Sequence, residues 1–235
     1  MIVLAPAKAS VLEIFKSRQG EGLFAGEPHL FVRFGGCNLV CDYCDTPDSI
    51  PVQSGTRWDL DGVLARLGHL RGDGGPSVVS LTGGEPLLHA DFLEALVPRL
   101  RALGYRVHLE TNGSLPNALA RIIKGCDWIA MDFKPDSATG RDLWEAHRWF
   151  LEMSGSKVFV KMVLTGKTAE AEFRRGVDLV ATVRPGTPLV LQPATPWGSA
   201  RSIPLARLTF WWEWAARRLR DVRIIPQIHR LWEIA

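Results

Sequence analysis

Gly36-Cys37-Asn38-Leu39-Val40-Cys41-Asp42-Tyr43-Cys44-Asp45-Thr46 carries three cysteines within eight residues, with three and then two residues between them. Thiolates this close, on a glycine-led loop, converge on one soft metal site. Three ligands on a four-iron cluster leave one iron without a protein ligand. An open iron points to chemistry rather than plain electron transfer. The competing reading is a structural zinc site, which asks for a closed set of four ligands. Cys126 or a remote histidine would then have to supply the fourth.

Outward from this loop the chain alternates between two periodicities. Residues 11–15, 30–34, 78–81, 106–110, 128–132, 157–164, 189–192 and 222–225 read as strands, and 58–67, 90–103, 117–123, 142–151, 170–182 and 204–219 as helices. The helix over 90–103 opens with Asp91 and Glu94 at capping spacing and stops at Gly104, and Pro98 is expected to kink or loosen it. Strand, loop and helix repeat about six times, which predicts a parallel sheet with right-handed crossovers. The unusual residues fall just after strands: the cysteines, Thr82-Gly83-Gly84-Glu85, Glu110-Thr111-Asn112, Asp132-Phe133-Lys134 and Gln192-Pro193. In a parallel βα sheet these positions share the carboxyl rim, where ligands bind. About six units are too few for a complete eight-stranded barrel. The expected fold is therefore α/β, a partial, open (βα) barrel of about six parallel strands. No linker-like stretch interrupts it, so residues 1–235 read as a single domain.

Bulk properties narrow the function classes. The chain has 235 residues, of which 46% are hydrophobic and 23% charged, enough for a sizeable core. A net charge of +3 is too weak to argue for direct contact with nucleic acid. No apolar run reaches membrane-spanning length, and the apolar start, residues 1–6, is short and lacks a basic lead. A tight cysteine trio plus a distant Cys126 makes a poor disulfide framework and fits a reducing cytoplasm and a metal. Cys126, beside Trp128-Ile129-Ala130-Met131, reads as a buried, inert thiol.

Gly83-Gly84-Glu85-Pro86 is the second informative run. Paired glycines let a backbone approach a ligand closely, and the following glutamate can accept a hydrogen bond from an ammonium. A plain βα turn with a capping acid is the bland alternative. The Cys-x3-Cys-x2-Cys loop followed by this strand end resembles the radical S-adenosylmethionine superfamily. The resemblance implies a [4Fe–4S] cluster on Cys37, Cys41 and Cys44, with S-adenosylmethionine on its open iron. Its cleavage yields a 5′-deoxyadenosyl radical. Gly83, Gly84 and Glu85 are then cofactor contacts, and Tyr43 stands where the superfamily often has an aromatic residue near the adenine.

A narrower resemblance covers nearly the whole chain. Phe15-Lys16-Ser17-Arg18-Gln19-Gly20-Glu21-Gly22, Phe31-Val32-Arg33, Cys44-Asp45-Thr46, Leu109-Glu110-Thr111-Asn112-Gly113 and Ile225-Pro226-Gln227-Ile228-His229-Arg230 are similar to the 7-carboxy-7-deazaguanine synthases. That family contracts the ring of 6-carboxy-5,6,7,8-tetrahydropterin with loss of ammonia. The resemblance implies a magnesium ion on Thr46, in keeping with the preference of that ion for oxygen. It implies pterin contacts from Arg18, Gln19, Gly20, Glu21, Thr82 and Glu110, and a carboxylate clamp from Arg33. Asp132, Phe133 and Lys134 sit where many members have Ser-Pro-Lys, so only the lysine is identical. Gln192, Pro193, Ala194 and Thr195 resemble the late segment near the adenosine. The contact that some members make through their final residue does not carry over to Trp232-Glu233-Ile234-Ala235. A small-molecule pterin substrate, a flavodoxin or ferredoxin as electron donor, and a homodimer follow as expected partners.

Two other classes stay open: a radical activase acting on a partner protein, and a zinc-stabilised binding module. The Gln-Gly-Glu-Gly segment and Arg33 speak against the first, and the three-ligand count against the second. His69, His89, His108 and His147 lack ligand spacing and read as surface or hydrogen-bonded residues, whereas His229 is a candidate to face the site. Trp211, Trp212 and Trp214 read as core or subunit contacts, and Arg217, Arg218 and Arg220 as a solvated face.

Overall fold

The computed structural model describes residues 8–196 and 200–232. The apolar start and the final residues 233–235 lie outside the described residues. In chain order the elements are β1 (Ala9–Arg18), β2 (Pro28–Phe34), β3 (Thr56–Trp58), α1 (Leu60–Arg71), β4 (Val78–Gly83), α2 (Ala90–Ala102), β5 (Arg106–Thr111) and α3 (Pro116–Ile122). There follow β6 (Trp128–Phe133), α4 (Asp136–Thr139), α5 (Trp144–Ser154), β7 (Val158–Leu164), α6 (Glu170–Val183), β8 (Leu189–Pro193), α7 (Leu205–Ala216), β9 (Val222–Ile224) and α8 (Ile228–Trp232).

All nine strands form one open sheet in the order β3-β1-β2-β4-β5-β6-β7-β8-β9. From β2 to β9 every pairing is parallel, so the parallel run has seven strands rather than about six. Each crossover steps one place along the sheet, which is the incomplete (βα) barrel the sequence predicts. β1 pairs antiparallel with β2 and with β3, extending the sheet beyond the parallel part.

Strand alternation sorts the side chains into two layers. Val79 and Leu81, Val107 and Leu109, Ile129 and Met131, Val160 and Met162, and Leu189 and Leu191 belong to the main core, with Leu93, Leu96, Phe150, Phe173 and Val177 from the helices. The intervening residues, Ser80 and Thr82, His108 and Glu110, Ala130 and Asp132, Phe159 and Lys161, and Val190 and Gln192, take the opposite, concave face. Ala130, Phe159 and Val190 make a small second apolar cluster there. The concave face thus carries this apolar cluster below, beside the hydrogen-bonded Ser80 and His108, and polar or charged side chains at the rim.

Three local expectations change. The helix expected from residue 58 starts at Leu60, because the Asp59 side chain caps it by accepting from Gly62 N at 2.9 Å, and Trp58 belongs to β3. α2 runs unbroken through Pro98, which lies on its exposed face. Asp91 and Glu94 do not cap α2; both pair with Arg121 of α3, at 2.6 and 2.5 Å.

Candidate active site

The cysteine loop is held by backbone bonds at its start and by side chains further along, among them Asn112 Nδ2 donating to Asn38 Oδ1 at 2.9 Å and Arg141 to Asn38 O at 2.8 Å. Gly36 N donates to Ser49 O at 2.8 Å and Cys37 N to Ile50 O at 3.0 Å. The strand end after β4 grips the same loop: Gly84 N donates to Phe34 O at 3.0 Å and Glu85 N to Gly36 O at 2.8 Å. This contact explains Gly84 directly. A Cβ there would lie 2.1 Å from Gly36 O and 2.7 Å from Ser49 O, both backbone atoms that cannot give way.

Glu85 has a different place from the expected one. It is 0% exposed and accepts hydrogen bonds from Leu87 N (3.0 Å), Thr111 Oγ1 (2.8 Å) and Asn112 N (2.8 Å). Burial pushes its carboxyl up to about 6, with these donors pulling the other way. It braces the ends of β4 and β5 from beneath and does not line the cavity.

That cavity, about 420 Å³, opens at the carboxyl rim, within the usual range for a small-ligand site. Cys37, Cys41, Cys44, Tyr43 and Thr46 line one side, with Gly83 and Gly84. Arg18, Gln19, Gly20, Glu21, Arg33, Thr82 and Glu110 line it as well, as do Asp132, Lys134, Gln192, Ala194 and Thr195. Phe133 and Pro193 do not, because alternation turns them to the other face; Phe133 is buried beside Trp144 and His147.

The cavity wall fits an iron–sulfur cluster and a polar cofactor. The three thiols face one space, Leu39 N donates to Cys37 Sγ at 3.5 Å, and burial holds all three thiol pKa values up. Metal binding must therefore displace protons. Cys126 belongs to the other end of the sheet, ahead of β6, where burial pushes its thiol up to about 12. It cannot supply a fourth ligand to the loop. Across the cavity, Asp132 Oδ1 and both amide atoms of Gln192 are buried without a hydrogen-bond partner. Buried polar atoms are normally satisfied, so these three are set for a bound polar molecule.

Charges alternate along the floor. Glu21 pairs with Lys161, Lys161 with Asp132 at 3.3 Å, and Asp132 with Lys134 at 2.8 Å. Lys134 Nζ also donates to Tyr43 Oη at 3.3 Å and lies 5.0 Å from the centre of its ring. Burial alone would raise the Asp132 pKa, but Lys134 and Lys161 outweigh it and hold it low. The two lysines are pushed up by the carboxylates against the effect of burial.

The side expected to take substrate is equally connected. Gln19 Nε2 donates to Glu110 Oε1 at 2.8 Å. Burial raises the Glu110 pKa. Arg33 donates to Glu13 at 2.6 Å and to Thr46 Oγ1 at 3.3 Å. The C-terminal segment closes this side: Gln227 Nε2 donates to Glu21 (2.7 Å) and Asp45 (3.0 Å), and Ile228 N donates to Gly20 O at 2.9 Å. His229 and Arg230 stand 3.6 and 3.8 Å from Asp45. Gly20 has no room for a side chain, since a Cβ would lie 2.2 Å from the His229 ring.

Lys161, Asp45, Gln227 and His108 join the site without having been singled out as site residues by motif. Lys161 is the one charge in the run Val158-Phe159-Val160-Lys161-Met162-Val163-Leu164, and that isolation is the signal that marks it. His108 is buried and hydrogen-bonded to Ser80 Oγ at 3.1 Å, as the bland reading of that histidine has it, and it also lines the cavity. Of the tryptophans, Trp211 is core and stacks on Phe173, while Trp214 carries Arg174 and Arg218 on its faces.

An open (βα) sheet with a three-cysteine loop and a glycine-pair strand end at its rim defines a radical S-adenosylmethionine protein. The family model described as "Radical SAM superfamily" matches residues 31–164, and the chain belongs to that superfamily. Within it, the chain belongs to the 7-carboxy-7-deazaguanine synthase family. It is 42% identical to the 7-carboxy-7-deazaguanine synthase of Geobacter sulfurreducens, covering 94% of this chain and 96% of that one. It is 38% identical to the protein of the same name from Methanopyrus kandleri, covering 94% and 92%. In fold it is similar to QueE from Escherichia coli, with a TM-score of 0.64 and 21% identity over 94% of each chain.

Proposed function

We propose that this chain is a 7-carboxy-7-deazaguanine synthase, converting 6-carboxy-5,6,7,8-tetrahydropterin to 7-carboxy-7-deazaguanine and ammonia. The observation that carries the reading is the shared cavity: the three cysteines, the unpartnered Asp132 and Gln192 atoms, and the Arg33–Thr46 pair all face one space.

Cys37, Cys41 and Cys44 hold the [4Fe–4S] cluster; Gly83, Gly84, Asp132, Lys134, Gln192, Ala194 and Thr195 line the side for S-adenosylmethionine, with Tyr43 beside it. When bound there, the cluster and S-adenosylmethionine would supply radical chemistry able to abstract a hydrogen atom. The chain's own residues bind, orient and exclude water. Arg33 would offer parallel donors to the pterin carboxylate, and the Thr46 hydroxyl would be a ligand for a magnesium ion. Arg18, Gln19, Gly20, Glu21, Thr82 and Glu110 form the remaining wall, where Gln19 and Glu110 present an amide and a carboxyl to ring N–H and C=O groups. The cysteine loop therefore serves the cluster at Cys44 and the metal at Thr46. Glu85, Phe133 and Pro193 support this wall from behind.

Residues 1–235 are read as one radical S-adenosylmethionine domain, in keeping with described site residues that lie on the strands of one sheet or on the loops leaving them. Among the described residues no helix is long and apolar enough to cross a membrane. A cytoplasmic homodimer reduced by a flavodoxin or ferredoxin, with a small-molecule pterin as substrate and without direct nucleic-acid contact, completes the reading. The product would enter queuosine or related 7-deazapurine synthesis, for modified tRNA bases or related metabolites.

Anaerobic reconstitution with iron and sulfide, followed by S-adenosylmethionine, magnesium, reductant and the carboxytetrahydropterin, tests the reading. The deazapurine acid is the expected product. Radical transfer to a partner protein without that product would favour an activase, and uptake of zinc alone would remove both enzyme readings.

A further inference from the structure

Lys161 stands between the two halves of the cavity. Its strand, β7, is otherwise apolar, and its side chain is only 11% exposed. On one side it pairs with Glu21, on the wall facing the pterin position; on the other it reaches Asp132 Oδ2 at 3.3 Å. Lys134 takes the same Asp132 oxygen at 2.8 Å. Asp132 Oδ1 is left buried and unpartnered. On the far side, Glu21 Oε1 accepts from Gln227 Nε2 at 2.7 Å.

We propose that Lys161 is a positioning residue that couples pterin binding to S-adenosylmethionine binding. The inference rests on the deazaguanine-synthase reading of the cavity. A buried ammonium between two carboxylates is shared between them, and its position depends on how strongly each attracts it. When Glu21 turns its oxygens to pterin N–H groups, its hold on Lys161 weakens. Lys161 then moves towards Asp132, which gains a second firm partner at Oδ2. With Oδ2 pinned by two lysines, the orientation of Oδ1 is fixed for S-adenosylmethionine. The reverse also holds, because coupling between binding sites is reciprocal. No other charged side chain in β7 bridges the two walls, and the register places Asp132 directly opposite Lys161 on neighbouring strands.

The test needs no turnover. In the cluster-loaded, unreduced protein, calorimetry measures the dissociation constant of S-adenosylmethionine with and without saturating 6-carboxytetrahydropterin. The unaltered protein should bind S-adenosylmethionine about fivefold or more tightly when pterin is present, the lower end of usual coupling. Lys161→Met should abolish the difference, and Lys161→Arg, which keeps the cation, should restore part of it. Glu21→Gln cuts the link at its other end and should also remove the coupling, which covers the case of a poorly folding Lys161→Met. Unchanged coupling in Lys161→Met or Glu21→Gln overturns the proposal, as does bound pterin without any coupling in the unaltered protein. Failure of the unaltered protein to bind pterin at all would instead overturn the functional reading beneath it.

Discussion

Arg33 Nη1 donates to Thr46 Oγ1 at 3.3 Å, joining the end of β2 to the residue two places after the last cysteine of the loop. The same guanidinium is oriented from behind by Glu13 at 2.6 Å and lies 5.4 Å from the centre of the Phe15 ring. A fork fixed on one side and open on the other is suited to a planar carboxylate.

Replacing Arg33 by Ala should therefore weaken pterin binding by roughly 10- to 100-fold, the loss of about 1.5–3 kcal/mol expected of a charge-assisted hydrogen bond. Iron and sulfide content should stay unchanged. Titration of the pterin against iron per chain checks both, and loss of the cluster in this variant would contradict the assigned role.

Gly84→Ala should act the other way. The added methyl collides with backbone oxygens of the cysteine loop rather than with a ligand. Cluster uptake should fail while far-UV circular dichroism remains that of the folded chain. Normal iron content in this variant would show that the loop can move away, contrary to its backbone clamp.

Cys126 provides the matching control. Its thiol is buried and donates to Ile122 O at 3.6 Å, at the opposite end of the sheet from the loop. Cys126→Ala should keep full iron content and cost about 1 kcal/mol of stability, the ordinary size for a small core change. Cys41→Ala should lose the cluster. Iron loss in the Cys126 variant would revive a four-ligand site.

Stability should fall as the medium is acidified below about pH 6.5. Burial lowers the pKa of His29 and His147 to about 4 and of His108 to about 3. Each takes up a proton in the unfolded chain near its ordinary value of 6.5 but stays neutral when folded. The unfolded state then binds more protons, so stability is full above 6.5 and is lost as pH falls towards the folded values. Each histidine contributes at most about 1.4 kcal/mol per pH unit in this window. Glu85, raised to about 6, and Glu110, also raised by burial, work in the opposite direction above the ordinary carboxyl value, but they are two groups against four, since burial lowers His89 as well. Chemical denaturation between pH 7 and pH 5 measures the slope. His108→Gln should flatten it by about one such increment.

Much of this was legible in the chain. Thr82, Glu110, Asp132 and Gln192 follow from strand alternation and from the rule that parallel βα sheets gather ligands at one rim. The same alternation, applied one residue further, separates Phe133 and Pro193 from the cavity, which motif likeness alone does not do. Glu85 lies outside the cavity for a different reason: its partners Thr111 and Asn112 come from another strand end, and only the assembled sheet brings them to it. Asp45 with Gln227 is of the same kind, joined across most of the chain's length. Lys161 lies between these cases. A lone charge in an apolar strand is visible in sequence, but its two partners are not.

The most direct measurement uses 6-carboxytetrahydropterin carrying deuterium on its reduced ring. Mass spectrometry of the anaerobic reaction should find deuterium in the adenosyl group, as S-adenosylmethionine or 5′-deoxyadenosine, with one deazapurine acid and one ammonia formed per pterin consumed. Cleavage of S-adenosylmethionine while the label and the pterin ring stay intact would contradict the account.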